Sequence, residues 1–389
     1  MKKTLCVLFI FFVFFWSAYS KTQKPESLAK VEVIDGIEFV HNSGTPMYPD
    51  KTVTFVEDLS IKIESDDWNI LRFTQRLKLV DDDESIYISE NKDQVIDVFG
   101  SDGKYIRKIG AKGDGPGEFQ SIIYLAVTED GQLMVIDSRA KRTSFFDSSG
   151  KFLKSFQWQN SYSRFHLMKN SSYVTSEVVR GSDPQFMWLY VKEIDFGGEE
   201  IRSYGEFTLE KPLIVRQGNA SNFMSFPVSP SSLFSGDQER EIFYHCLNNK
   251  YLIEVYDTSG KVYRKIDRPY EPIQFTDKDK EEYWARYEGG ILEWVRKEVE
   301  AKHMPKVKNI VSKMSVDDES NLWIRTYENK KEEGKILTAY DIFNPDGHYY
   351  ARVWTEFTSF IFKKGKMYRM DIDQNTGSHS MKRYKVVWE

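Results

Sequence analysis

The chain is almost without cysteine. Two occur in 389 residues, Cys6 and Cys246, so no disulfide framework can stand in for a packed core. Long apolar runs are equally scarce. Only Leu5 to Trp16 is continuously hydrophobic in the first part of the chain, which is short of the roughly 20 residues a bilayer-spanning helix needs. Nor is positive charge in excess: 54 Lys and Arg stand against 59 Asp and Glu, a formal charge of −5, and that argues against a nucleic-acid partner. Histidine is sparse as well. His166, His245, His303, His348 and His379 lie far apart with no paired spacing, so they supply no metal motif that spacing alone can reveal. The chain also lacks a nucleophile elbow Gly-x-Ser-x-Gly and a Ser-x-Asp-x-Gly-x-Thr-Trp box.

What is present begins with Lys2 and Lys3, the run Leu5 to Trp16, and Ala18-Tyr19-Ser20. This is the layout of a secretory signal with cleavage expected before Lys21, an uncleaved anchor being the alternative. Cys6 lies at the very start of the apolar run, whereas a lipoprotein cysteine follows it, so lipidation is not expected. Loss of the leader removes two lysines and leaves 52 basic against 59 acidic residues. An extracytoplasmic location, periplasmic or secreted, is the expectation.

The stretch Ile109 to Phe119 contains Gly110, Gly113, Gly115, Pro116 and Gly117. So many glycines around one proline call for tight turns, and apolar strands follow at Ile122 to Thr128 and Leu133 to Asp137, so this is read as a crossing between β units with Gly115 and Gly117 at positive φ. Glycine turns of one type then recur, at Ser101-Asp102-Gly103-Lys104, Ser148-Ser149-Gly150-Lys151, Phe196-Gly197-Gly198-Glu199, Thr258-Ser259-Gly260-Lys261 and Pro345-Asp346-Gly347-His348. Their spacings of 47, 48, 62 and 87 residues fit one four-stranded propeller blade, then blades with insertions. The pattern predicts an all-β six-bladed propeller with blades near 73–119, 120–160, 163–207, 223–273, 309–354 and 356–389. The last unit shows three strands, so Leu59 to Ile63 is expected to supply its outer strand and close the ring. The domain reading is a signal peptide over 1–20, an N-terminal extension over 21–58 and the propeller over 59–389.

One segment breaks the β pattern. From Asp277 to Lys302, Tyr283, Tyr287, Ile291, Trp294, Val295 and Val299 recur at helical spacing. Thr276-Asp277 is a candidate N-cap, Pro305 a stop, and Gly289-Gly290 a division into two short helices between blades 4 and 5. The aromatic and cationic residues Trp284, Arg286, Tyr287 and Trp294 are the candidate binding residues, because Trp, Tyr and Arg dominate hot spots. Trp284 lies off the main stripe and is expected to be exposed; packing of the rest on the propeller is the competing reading.

The run Tyr105 to Phe156, with Gly110, Gly113, Gly115, Gly117, Glu118-Phe119, Val135-Ile136-Asp137-Ser138, Arg142, Phe146-Asp147, Gly150 and Phe152-Leu153, resembles an NHL repeat. The mature chain further resembles a family of secreted bacterial six-bladed propellers carrying a Lys-Gly-x-Gly-Pro-Gly-Glu-Phe joint and a charged helical insertion before an Asn-Leu-Trp strand, here Asn321-Leu322-Trp323. That resemblance implies fold and compartment and brings no active site with it.

For chemistry, the glycine joint fails the phosphate-loop pattern and opens a strand where a phosphate loop opens a helix. Asp371-Ile372-Asp373-Gln374-Asn375 alternates oxygen donors as in a calcium loop, but Gly377 comes one place late and Lys382 occupies the bidentate Glu position; a hairpin turn is expected. Inner strands read as Tyr124 to Val127, Phe165 to Met168 and Ile310 to Met314 are poor in carboxylates, unlike the metal-holding inner strands of gluconolactonase-type propellers. No cofactor and no metal are expected. The reading is a monomeric, non-catalytic binding or scaffold propeller for a protein or carbohydrate ligand, with a metal-dependent hydrolase or lyase at the channel mouth as the alternative.

Overall fold

The computed structural model describes residues 29–63, 78–90, 93–169, 171–180, 186–210, 213–217, 220–224, 230–237, 239–285, 293–373 and 378–389. The signal-peptide expectation therefore falls outside the described residues. The middle strands of each expected unit are short apolar runs that can be buried on both faces, as they are when one antiparallel sheet is sandwiched between two others. In the second unit Leu133–Asp137 and Arg142–Phe146 are buried throughout, whereas Phe152–Gln157 at the rim is largely exposed.

Six four-stranded meanders result. From the inner strand outward, blade 1 is Lys78–Val80, Ile86–Glu90, Val95–Phe99 and Tyr105–Ile109, and blade 2 is Ile122–Val127, Leu133–Asp137, Arg142–Phe146 and Phe152–Gln157. Blade 3 is Tyr162–Met168, Ser172–Val179, Phe186–Asp195 and Glu200–Glu210; blade 4 is Ser232–Asp237, Ile242–Leu247, Leu252–Tyr256 and Val262–Asp267. Blade 5 is Val311–Val316, Leu322–Glu332, Lys335–Phe343 and Tyr349–Thr355. Blade 6 takes Ile361–Lys363, Lys366–Ile372 and His379–Trp388 from the C-terminal end and its outer strand, Val53–Ile63, from the N-terminal part. The donor strand thus starts at Val53, six residues before the expected Leu59, because Val53 to Glu57 continue the pairing down to Trp388.

The structure differs from a plain extension over 21–58 in another way. Lys30–Ile34 and Ile37–His41 form a hairpin about Asp35-Gly36, both at positive φ, and its second strand runs parallel to the outer strand of blade 4, giving that blade six strands. Asn42 then bridges two blades. Its side-chain amide donates to the carbonyls of Asp267 (3.1 Å) and Gly347 (3.0 Å), and its oxygen accepts from Tyr349 N (2.7 Å). Met47 and Tyr48 bond to the outer strand of blade 5, and Thr52 exchanges backbone bonds with Glu389. The N-terminal segment is a strap over the rims of blades 4, 5 and 6.

The recurring glycine turns connect the third and outer strands of blades 1 to 5, and each rests on the outer strand of the preceding blade. At Gly347 (φ 82°) an added Cβ would sit 2.9 Å from Ile266, and at Gly150 (φ 87°) 2.9 Å from Ile109. Both the backbone conformation and the lack of room demand glycine.

Two outcomes are expected. A chain lacking residues up to 63 leaves His379–Trp388 as an open edge and melts far below the intact protein or loses cooperative unfolding, whereas one lacking residues up to 42 melts only moderately lower; thermal unfolding by circular dichroism reads both. Gly347→Ala costs about 1 kcal/mol or more, measured by urea titration.

Candidate functional site

Because every blade is a meander, the turns within the first and second strand pair and within the third and fourth lie at one end of the ring. The second-to-third loops and the crossings between blades lie at the other. Among the described residues the insertions lie at this loop end: the crossing after blade 3 holds a hairpin, Leu213–Gln217 with Ala220–Met224, the crossing after blade 4 holds both helices, and the Leu322–Glu332 and Lys335–Phe343 hairpin projects there.

The glycine joint is one of these crossings, and its polar groups are consumed internally. Gly113 N donates to Phe119 O (3.0 Å), Glu118 N to Gly115 O (3.0 Å), and Gly115 N to the Glu118 carboxylate (2.8 Å). Fully buried Asp137 accepts from the backbone of Gln120, Ser121, Arg139 and Ala140, and Arg142 donates to the carbonyls of Asp114, Gly115 and Glu118. A carboxylate inside the loop repels phosphate, and the amides of Gly113, Gly115 and Glu118 already have acceptors. The expectation of positive φ holds for Gly117 (79°) and also for Gly110 (81°), where the Phe119 ring leaves no room for a side chain. It fails for Gly115, which is not left-handed; that residue is confined by the Glu118 carboxylate, 3.0 Å from where a Cβ would stand. Pro116 sits between them in the same turn.

The insertion forms two helices, Asp277–Ala285 and Glu293–Lys302. A reciprocal cap starts the first: Thr276 N donates to Asp279 Oδ2 (2.8 Å) and Asp279 N to Thr276 Oγ1 (3.3 Å). Lys308 anchors the same carboxylate to the chain after the helices at 2.6 Å. Tyr283, Val295 and Val299 are buried as their spacing suggests. Trp284 corrects the expectation of exposure: it is 8% exposed, edge-on to Tyr283 at 4.8 Å, with the Arg296 guanidinium 5.4 Å from its ring centre. Trp294, assigned to the stripe, is 55% exposed. The two helices have separate axes, so one helical wheel drawn through both misplaces the two tryptophans. Arg286 and Tyr287 lie outside the described residues.

Trp294 is not isolated in kind. Val178, Val179 and Phe186 at the tip of the blade 3 hairpin, Ile336 on blade 5 and Ile372 on blade 6 are exposed apolar residues at the same loop end. Side chains at loop tips have no neighbouring blade to cover them, so their apolar character is not explained by the propeller core.

At the opposite, turn end a cleft of about 40 Å³ lies between blades 3 and 4, lined by His166, Leu167, Met168, Lys169, Glu193, Arg202, Asp237, Glu241 and Thr258. That is room for a few water molecules. Desolvation by the surrounding protein lowers the His166 pKa to about 4, against the attraction of Asp237. Glu193 is committed to Ser172, Tyr204 (2.9 Å) and Arg202 (2.9 Å). Elsewhere His245 bonds Ser232 at 2.9 Å within blade 4. Among the described residues no group of three or more His, Cys, Asp and Glu is placed to hold a metal ion. Of the calcium-loop candidate, residues 374–377 lie outside the described residues, and the flanking Lys366–Ile372 and His379–Trp388 pair as a hairpin. No described helix is long and apolar enough to cross a membrane.

Comparison with known proteins supports the architecture. Residues 53–234 match the model of DUF5128, a 6-bladed beta-propeller family. No curated protein matches the sequence. Among solved structures, a member of the DUF4221 family from Bacteroides vulgatus is similar at a TM-score of 0.54 and 10% identity, covering 86% of this chain and 98% of that one. A candidate exported protein from Bacteroides fragilis is similar at 0.52 and 10% identity, covering 90% and 99%. At such identities the likeness is one of fold. The class is therefore a six-bladed β-propeller.

The His166 environment makes a pH prediction. A histidine whose folded pKa is about 4 and whose ordinary value is 6.5 binds fewer protons in the folded than in the unfolded chain between those values, so stability falls as pH drops from 6.5 to 4. His166→Asn removes this contribution. Urea midpoints across that range should decline less steeply in the variant than in the parent protein.

Proposed function

We propose that the chain is a non-catalytic, extracytoplasmic binding propeller that takes a protein or carbohydrate ligand on its loop end. The observation that carries the reading is the collection of exposed apolar side chains there, with Trp294 foremost and Val178, Val179, Ile336 and Ile372 on the loop tips. Large exposed apolar and aromatic groups rimmed by charge are what binding surfaces present. The helix carrying Trp294 has such a rim, in Glu293–Lys297, Arg296–Glu300 and Glu298–Lys302 pairs. Residues 1–20, read as a leader, support the extracytoplasmic placement, and the low cysteine content is compatible with it.

The test is an array of soluble oligosaccharides and surface-protein fragments probed with the purified mature chain. A combined Trp294→Ala and Ile336→Ser variant should lose roughly 2 kcal/mol of binding, about thirtyfold, with an unchanged melting temperature. Leu153→Ser on the rim should bind as the parent does. Turnover of sugar lactones that requires an added divalent ion would overturn the reading in favour of a metal-dependent hydrolase.

A further inference from the structure

Blade 5 breaks a simple rule of sheet design on the face it turns to blade 6. Lys313 on its inner strand is directly opposite Arg325 on the second strand, and Arg325 is directly opposite Tyr340 on the third. Register partners share a face, so two like charges and a phenol stand in one row. Like charges opposite each other destabilise a sheet, yet neither Lys313 nor Arg325 has a carboxylate within ion-pair distance among the described residues. Their partners are neutral acceptors in the crossing to blade 6: Lys313 Nζ donates to Ser359 Oγ (3.0 Å) and Phe360 O (3.4 Å), and Arg325 Nη1 to Thr358 O (3.3 Å).

These contacts leave donors over. Arg325 Nε and the hydroxyl of Tyr340, a residue with no exposed surface, are buried without an acceptor among the described residues, as is Nε of Arg369 on the facing strand of blade 6. The groups are close enough to act on one another electrostatically: the charges of Arg325 and Arg369 both favour the Tyr340 phenolate, against a larger effect of burial, which raises its pKa. Burial, with Arg325 beside it, lowers the Lys313 pKa to about 8. A buried donor without an acceptor carries a desolvation penalty, and here those of Arg325 and Tyr340 belong to one row with two cationic side chains, Lys313 and Arg325, that have no carboxylate partner among the described residues. Arg369 is already held by Asp371 at 2.6 Å and stacked on Phe357 at 4.2 Å, so it is a flanking charge.

We propose that the Lys313, Arg325 and Tyr340 row is an anion site, taking one carboxylate or phosphoryl group of a small ligand that reaches it where Arg325 meets the crossing to blade 6. An oxyanion accepts hydrogen bonds from several donors at once and relieves the like-charge opposition, and charge-assisted bonds of this kind are the strong ones. The site lies under the crossing from blade 5 to blade 6, uses none of the apolar tips, and does not depend on the reading given to them.

The experiment uses the full mature chain titrated with sodium phosphate, sulfate and acetate at fixed ionic strength, with sodium chloride as control, followed by calorimetry and by melting temperature. Saturable binding at one anion per chain is expected, absent with chloride. Arg325→Gln should weaken it roughly tenfold or more, and Tyr340→Phe, which removes only the unpaired hydroxyl, should weaken it severalfold while the protein remains folded. Preference for phosphate and sulfate over acetate assigns a phosphoryl group; equal or better acetate binding assigns a carboxylate. No saturable response in the parent protein, or responses unaltered in both variants, overturns the proposal.

Discussion

The antiparallel pairing of Val53–Ile63 with His379–Trp388 is the constraint on which the other contacts depend. A propeller has no single core; its apolar groups are buried between neighbouring blades, so every interface presupposes a closed ring. The seam shows how closure and packing are joined. Ile61 and Ile63 from the donated strand, with Tyr368 and Met381 of blade 6, form one buried cluster with Val80, Ile86 and Ile88 of blade 1. Losing the strand removes a sheet edge's hydrogen bonds and two of that cluster's seven buried members together. The strap reinforces the seam from outside, since the same segment that closes blade 6 is first pinned to blades 4 and 5 through Asn42, Met47 and Tyr48.

Two treatments of buried charge stand side by side in blade 5. Asp341 is fully buried, but its carboxylate accepts from Tyr251 (2.6 Å), Arg268 (2.6 Å), Tyr349 (2.7 Å) and Arg352 (2.8 Å), and Arg352 in turn holds Glu328 with two bonds. Burial alone would raise its pKa, yet the two guanidiniums hold it below the ordinary carboxylate value. This network joins blade 4 to blade 5 and has a partner for every charge, the condition under which buried ions are tolerated. The Lys313 and Arg325 row, on the same sheet, lacks that condition. The contrast is what separates a structural network from a site with unused capacity.

Much of the fold is legible in the sequence because its signals are local. A left-handed glycine at each outer turn and a β period between them follow from backbone sterics, and they locate the blades. Thr276-Asp277 announces the helix start for the same reason. The hairpin about Asp35-Gly36 carried an equally local signal, alternating Val31, Val33 and Phe39 around an Asp-Gly turn, but its parallel docking on blade 4 is a long-range contact that nothing nearby encodes. The candidate site was less legible. Which of Trp284 and Trp294 faces solvent depends on the relative rotation of two helices, and the opposition of Lys313 to Arg325 depends on register across a bulge at Ser312. Gly115 shows a finer limit: glycine is required there by a neighbouring carboxylate, and composition alone cannot distinguish that from a requirement for positive φ.

The two ends of the ring are under unequal constraint, and this bears on where function resides. At the turn end each glycine turn packs against the preceding blade's outer strand, so lengthening a turn would push apart an interface that the ring needs. At the loop end the crossings leave the sheet stack entirely, and a hairpin, two helices and an extended hairpin have been added there without disturbing strand order. Insertions that do not serve closure are free to serve recognition. The apolar tips belong to these elements, whereas the small cleft at the turn end lies among residues of blades 3 and 4 that the ring itself holds in place.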